Sequence, residues 1–337
     1  MTAMVTALER SRDAIAPALR AAIDRLDATS RAQASYHLGW TDADGRPSVA
    51  AGGKAVRPAL ALLSAEAAGA PAEVGLPGAV AVELVHNFSL LHDDLMDGDV
   101  ERRHRRTVWA LWGPSSAILT GDALLAVAQE ALLESGSPYA PAAGRLLATA
   151  TRDLIRGQVL DLAFEHRADV TLDECLDMTA GKTGSLLSAS AAIGAVLAGA
   201  PDETVGALAT FGAHLGMAFQ LVDDMLGIWG DPAVTGKPVF SDLRSRKKSL
   251  PVTYVLAQAS VASRDLAAWL ACPGDVTEAK LRRAADLITA GGGRDWVIAE
   301  ARRRMELGEL ALDDVRIPDR PRDELVALGR FIVTREA

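Results

Sequence analysis

Residues 83–97 read ELVHNFSLLHDDLMD, and the fold is decided there. Leu84, Val85, Phe88, Leu91 and Leu95 put apolar side chains on most faces of a helix, the pattern of a buried helix rather than one laid on a surface. That helix ends on three carboxylates. Asp93 and Asp97 are four apart and point the same way, and Asp94 and Asp97 are neighbours three apart. Carboxylates crowded at the end of a buried helix repel one another unless a cation neutralises them. Oxygen ligands select hard ions, and magnesium keeps waters and phosphate oxygens alongside one or two carboxylates.

The same grammar runs outward in both directions. Alanine and leucine recur at helical spacing almost everywhere, and runs of period two are essentially absent. The pattern predicts helices at roughly 5–28, 56–70, 78–97, 114–135, 139–166, 171–199, 203–229, 249–259, 276–290, 294–315 and 321–334, and no sheet. Turn chemistry marks the breaks: Gly52-Gly53, Gly113-Pro114, Ser137-Pro138, Ala200-Pro201 and Gly291-Gly292-Gly293. No linker rich in Pro, Ser and Gly divides the chain, so one all-α domain over 1–337 is expected, with long loops at 29–53 and 230–248.

Composition narrows the function. Of 337 residues, 49% are hydrophobic, ample for a large core, and the formal charge of −9 argues against general binding to nucleic acid or anionic membrane. Two cysteines, Cys175 and Cys272, make no disulfide framework and fit a reducing cytoplasm. The start, MTAMVTALERSRD, lacks the basic segment and apolar core of a secretory signal. The longest weakly polar stretch, Leu186 to Ala200, is short for a membrane span, so no transmembrane segment is expected.

A second acidic cluster lies in FQLVDDMLGIWGD, residues 219–231, again ending a long apolar helix. Asp223 and Asp224 open it. Gly227 stands where a third aspartate would complete a DDxxD, and Asp231 lies a turn further along. Basic runs follow both clusters: Arg102, Arg103, Arg105 and Arg106 after the first, and Lys237, Arg244, Arg246, Lys247 and Lys248 after the second. Carboxylates bind metals, and guanidinium and ammonium groups bind phosphate oxygens. One DDxxD could be a solvated helix end with weak surface pairs. Two clusters, each acidic then basic, point to diphosphate chemistry, where metals and fixed cations stabilise a departing anion.

At these residues the chain resembles the trans-isoprenyl diphosphate synthases, the polyprenyl synthetase family, from about residue 34 to 315. The motifs come in family order: GGKAVRP (52–58), ELVHNFSLLHDDLMD (83–97), RRHRRTVW (102–109), GDALL (121–125), KTGSL (182–186), FQLVDDMLGIWGD (219–231), GKPVFSDL (236–243) and KKSLP (247–251). The resemblance implies an antiparallel bundle of long helices around a central cavity, usually a homodimer, with three magnesium ions. Asp93 and Asp97 would hold two ions with Asp94 in support, and Asp223 the third with Asp224 in support. Arg102, Lys182, Thr183, Gln220, Lys237 and Lys247 would bind an allylic diphosphate. Lys54, Arg57, His86 and Arg103 would bind isopentenyl diphosphate. The implied reaction ionises the allylic C–O bond, lets the isopentenyl double bond attack the cation, and passes the proton to the released diphosphate.

The chain departs from that family at several places. Gly227 replaces the third aspartate of the second motif; His104, Arg106 and Trp109 replace a glycine, a proline and a histidine; Phe240 and Arg246 sit where glycines are usual. Loss of the carboxylate at 227 is expected to matter little, and Gly227→Asp to change little. Lys182 and Thr183 fall inside a predicted helix beside Gly181 and Gly184, which would let a kink present both groups inward. Phe88, with the small Ser89 beside it, lies five residues before Asp93 and would act as a floor for a growing chain. The resemblance then implies a short product, C20 geranylgeranyl diphosphate first and C15 farnesyl diphosphate close behind. Two alternatives stand beside this reading. A class I terpene cyclase would not need Lys54, Arg57, His86 and Arg103, and a non-catalytic partner subunit would not need both aspartate pairs.

Overall fold

The structure, a computed structural model, describes residues 2–48, 55–231, 239–272, 274 and 276–333. Sixteen α-helices account for nearly all of the regular structure among them. The chain divides into two compact units: Met1–Thr151, Leu186–Ala209 and Leu312–Leu328 form the first, and Arg152–Ser185, Thr210–Ala311 and Gly329–Ala337 the second.

In the first unit, α1 (Thr2–Ile23), α2 (Ala28–His37) and α3 (Val56–Ala67) lead to α4 (Leu76–Met96). Helix α4 packs against α3 and against α6 (Pro114–Leu133), which follows the short α5 (Val108–Trp112). Leu84 and Leu91 of α4, Leu60 and Leu63 of α3, and Leu124 and Leu132 of α6 are fully buried, so the apolar run of residues 83–97 is spent on the core. Arg10 of α1 binds Glu324 near the other end of the chain at 2.6 Å, and Arg320 binds Glu66 of α3 at 2.5 Å.

The second unit takes the C-terminal half of α7 (Ala140–Glu165), α8 (Leu172–Thr179), a π-helical turn at Ala180–Gly184 that leads into α9 (Ser185–Leu197), and the last two-thirds of α10 (Asp202–Trp229). After these come α11 (Ser241–Arg244), α12 (Leu250–Leu256), α13 (Val261–Ala271), α14 (Glu278–Ala290) and α15 (Gly293–Asp313), while most of α16 (Asp319–Val333) belongs to the first unit. The second unit's apolar cluster joins Ile228 of α10 to Val252, Val255, Leu266, Leu281 and Ile288. Every boundary between the units falls within a helix: α7, α9, α10, α15 or α16.

The structure revises the sequence expectations in four places. The expected loop at 29–53 is helical through His37, because Asp27 caps α2 by accepting from Thr29 N and Ser30 N. A two-stranded hairpin pairs Glu101–Arg102 with Arg105–Arg106 where no strand was expected. Helix α13, capped by Ser260, fills 261–271, and α11 falls within the expected loop at 230–248, of which residues 232–238 lie outside the described residues. Three helices, Ala72–Met96, Pro114–Leu133 and Asp202–Trp229, are long and apolar enough to cross a membrane by length and composition, which the stretch at 186–200 was not. The first of them is 67% buried and the second only 39%.

Candidate active site

In the first unit, α4 delivers its acids in two directions. Asp97 is the C-cap and is exposed, Asp93 is partly exposed, and Asp94 turns inward with 1% of its surface open. Asp94 Oδ1 accepts from Arg102 Nε at 2.6 Å, while its buried Oδ2 has no hydrogen-bond partner. Burial pushes the Asp94 carboxyl up to about 6 against the pull of Arg102. The cations that follow divide their duties. Arg105 donates to Tyr36 O and Thr41 O at 2.9 and 2.7 Å and lies over the Tyr36 ring. Arg106 donates to Ala110 O. These two fasten the hairpin; Arg102 and Arg103 are the ones it carries toward the acids. Arg103 and His104 form its turn at φ +52° and +59°, a left-handed pair that Asn and Gly ordinarily fill. Trp109, in place of the usual histidine, donates Nε1–H to Asp99 O at 2.8 Å and helps Thr107 fix the turn after the acids.

Two to three helical turns before the acids, Glu83, His86 and Asn87 share a face of α4, and Asn87 Nδ2 donates to Glu83 O at 2.7 Å. Burial raises the Glu83 carboxyl, opposed by Arg57 and Arg103 nearby. Burial and the charges of Arg57, Arg103 and Arg102 hold His86 far below its ordinary range, hence neutral. His37 of α2 joins them, lowered to about 3 by burial and then by Arg102, Arg103 and Arg105. Sequence reasoning passed over Glu83 and His37; the spacing of Glu83 to His86 and Asn87 was the signal for the first, and nothing local marked the second. Lys54 lies outside the described residues.

In the second unit, a chain of hydrogen bonds runs through the expected ligands. Thr183 Oγ1 donates to Gln220 Oε1 at 2.8 Å, Gln220 Nε2 donates to Asp224 Oδ1 at 2.8 Å, and Asp224 Oδ2 accepts from Leu250 N at 2.9 Å. Asp224, 4% exposed and raised to about 6 by burial, thus orients Gln220 and the start of α12, and Asp223 beside it is partly exposed. The π-helical turn holds Lys182 against Gly157 of α7, where a Cβ would fall 2.6 Å from Lys182 Cα. From there Lys182 Nζ reaches Asp161 Oδ2 at 2.6 Å, and Lys247 Nζ lies 3.8 Å from the same oxygen. Burial alone would raise the Asp161 carboxyl, but Lys247 and Lys182 hold it below its ordinary value. Asp161 was not foreseen. The second basic run also divides: Lys248 donates to Phe164 O and Glu165 O, and Arg246 to Leu270 O. Lys237 lies outside the described residues.

Gly227 is not an empty position. A Cβ built there would lie 2.5 Å from Asp242 Oδ1, with the other carboxylate atoms at least as close. Ser241 Oγ clips the two segments together, 3.1 Å from Gly227 O and 3.2 Å from Asp242 Oδ1. The expectation that an aspartate at 227 would change little is therefore corrected: Asp242 holds that space, fifteen residues further along the chain, where no helical spacing links the two.

Among the described residues no three His, Cys, Asp or Glu side chains converge to enclose a metal. Magnesium takes one or two carboxylates and completes its shell with water and phosphate oxygens. The buried, unpartnered Asp94 Oδ2 and the acid seated at Gly227 are donors of the hard type it requires.

An all-α fold whose acid-ended helices are each followed by a run of basic residues fits a prenyltransferase of the isoprenoid synthase type. The polyprenyl synthetase pattern matches residues 42–288, and the chain belongs to the polyprenyl synthetase family. It is 56% identical over 330 residues to a (2E,6E)-farnesyl diphosphate synthase of Mycobacterium tuberculosis, covering 97% of this chain and 92% of the relative. It is 44% identical to a geranylgeranyl diphosphate synthase of the same organism, covering 98% and 93%. The crystal structure of a polyprenyl synthetase from Streptomyces coelicolor superimposes with a TM-score of 0.95 at 54% identity, covering 98% of this chain and all of that one. A geranylgeranyl pyrophosphate synthase from Corynebacterium glutamicum, solved with isoprenyl diphosphate and magnesium, does so at 0.85 and 27% identity, with 99% of each chain covered. The protein is a short-chain trans-prenyltransferase.

Proposed function

We propose that this chain condenses isopentenyl diphosphate with an allylic diphosphate, uses magnesium, and stops at C15 or C20. One observation carries the reading: the charges of Arg57 and Arg103 act on buried Glu83 and on neutral His86, a second pair of cations beside the Arg102–Asp94 ion pair. A terpene cyclase has no second diphosphate to bind, and a regulatory subunit would not need both acid pairs. Identity to the farnesyl relative exceeds that to the geranylgeranyl relative, which moves the leading expectation from C20 to C15.

In this reading Asp93, Asp97 and Asp223 would hold magnesium, which when bound supplies positive charge opposite the departing diphosphate. The Corynebacterium neighbour, solved with magnesium, supports the choice of ion. Arg102, Lys182, Thr183, Gln220, Lys237 and Lys247 would hold the allylic diphosphate, with Asp161 orienting Lys182 and Asp224 orienting Gln220. Lys54, Arg57, His86 and Arg103 would hold the isopentenyl diphosphate, with neutral His86 as a hydrogen-bond donor. The allylic C–O bond breaks, the isopentenyl double bond attacks the cation, and the released diphosphate takes the proton.

Residues 1–337 serve as one prenyl synthase domain in this reading, since no unit boundary falls at a linker. A second copy of the chain would cover α6, which is apolar yet 39% buried and exposes Ile118, Leu119 and Leu133. Two cysteines in 337 residues, Cys175 buried and Cys272 exposed, are too few for a disulfide framework and fit a cytoplasmic setting. The test is an assay with labelled isopentenyl diphosphate and each allylic primer in turn, reading product length with and without magnesium. Cyclised product from an allylic substrate alone, or no turnover with any primer, would overturn the reading.

A further inference from the structure

Phe88 packs against a support built from two motif residues without a part in the proposed chemistry, His92 and Gly121. Phe88 and His92 are four residues apart on α4 and share a face; their rings meet at 4.7 Å and 64°. The His92 ring occupies the place a side chain on Gly121 of α6 would take. A Cβ there would fall 2.6 Å from His92 Cδ2, closer still to Nε2, and 3.4 Å from Phe88 Cδ2. His92 Nε2 also lies 3.1 Å from Ile118 O, a geometry for donation from the ring to the α6 backbone. Phe88 is 6% exposed and rests on a ring that α6 both admits, by omitting a side chain, and holds, through a carbonyl.

We infer that His92 and Gly121 are specificity-determining residues that fix the Phe88 ring and so set product length. This rests on the reading of Phe88 as the floor for the growing chain. A ring with a void behind it yields to a longer chain; a ring pressed from behind stands further forward. Packing at protein density transmits such a shift rather than absorbing it. The two residues therefore act with opposite sign. Removing the His92 ring opens the space behind Phe88 and lengthens the product. Adding one carbon at Gly121 pushes His92 and Phe88 together and shortens it.

The experiment compares product distributions of the full-length wild type and of Phe88→Ala, His92→Ala, Gly121→Ala and the His92→Ala/Gly121→Ala double variant, with thermal unfolding as a check of folding. The ratio of longer to shorter product should rise about tenfold in His92→Ala and fall about tenfold in Gly121→Ala, the discrimination one carbon gives in an apolar pocket. The double variant should lie nearer wild type than either single one, since the added carbon fits the vacated space. If Gly121→Ala does not fold, His92→Ala and the double variant still decide the matter. A wild-type distribution in His92→Ala while Phe88→Ala lengthens the product overturns the inference alone. No change in Phe88→Ala overturns the floor reading and the inference with it.

Discussion

The carboxylate of Asp242 occupies the space that a side chain on Gly227 would need. Helix α10 gives up an acid at the position one turn past Asp223, and the segment at α11 supplies one there instead. Gly227→Asp should therefore force Asp242 out and set two carboxylates at odds. We expect a loss of about 1–3 kcal/mol in stability, the usual result of overpacking, and slower turnover. Gly227→Asp with Asp242→Ser should recover part of both. Thermal melts and rates matching wild type in Gly227→Asp would show that the two sites are independent.

Asp93→Ala and Asp97→Ala should each slow turnover by about 10²-fold or more, as removal of transition-state charge stabilisation does. Neither residue is buried in the core, so both variants should keep the wild-type circular dichroism. Chelation of divalent ions should abolish turnover reversibly. Near-normal rates in either variant would remove these acids from the site.

Arg102 and Arg103 should differ in kind. Arg103 is exposed, so Arg103→Ala should raise the Michaelis constant for isopentenyl diphosphate selectively. Arg102→Ala also strands Asp94, whose second oxygen already lacks a partner. That variant should raise both Michaelis constants and lose about 1.5–3 kcal/mol of stability, the worth of a hydrogen bond to a charged group. Identical kinetic profiles for the two variants would contradict the division.

His104→Gly should stabilise the protein. His104 is exposed and sits at φ +59° in the hairpin turn, where a side chain costs about 1–2 kcal/mol that glycine avoids. Denaturant titration should show a gain of about 1 kcal/mol, after the greater unfolded-state entropy of glycine is deducted. An unchanged or lower midpoint would mean that His104 makes a compensating contact.

Acid should weaken the wild type relative to His37→Gln. His37 is held at about 3, against an ordinary value of 6.5. Above 6.5 neither state is protonated and the stability is intact. As pH falls below 6.5 the unfolded chain binds a proton that the folded chain refuses, so stability is lost until pH reaches about 3. Asp94 and Asp224, raised to about 6, act with the opposite sign between 6 and 3.8, so the contrast between variants is the quantity to read. The wild type should lose about 1–2 kcal/mol relative to His37→Gln between pH 7.5 and 5. Parallel curves would show that His37 is not held neutral.

The long helices were legible because burial on nearly every face leaves an unmistakable run of apolar residues, as in α4 and α10. Helices α2 and α13 were not, since both are short and their signals are single caps, Asp27 and Ser260. The hairpin escaped because four of its six residues are arginines and it is held by Arg105 on the backbone of Tyr36 and Thr41, not by alternation. At the site, acids and cations adjacent to a motif could be read. Asp161 and Asp242 could not, because each meets its partner across a gap in sequence: Lys182 in one case and Gly227 in the other. Nor could the sequence say which cations of a run face ligand and which, like Arg246 and Lys248, are tied to carbonyls.

The pairing of Arg10 with Glu324 has a consequence for how the chain is made. The first unit draws its last segment from Leu312–Leu328, with the Thr210–Ala311 segment of the second unit intervening after Ala209. A chain emerging from the ribosome at about 5–20 residues per second must wait until nearly its full length is out before that unit has all its parts. Until then α1 and α3 present Arg10 and Glu66 without the helix that closes over them. Premature termination anywhere before Glu324 would leave both units incomplete, so neither could be salvaged as a working half.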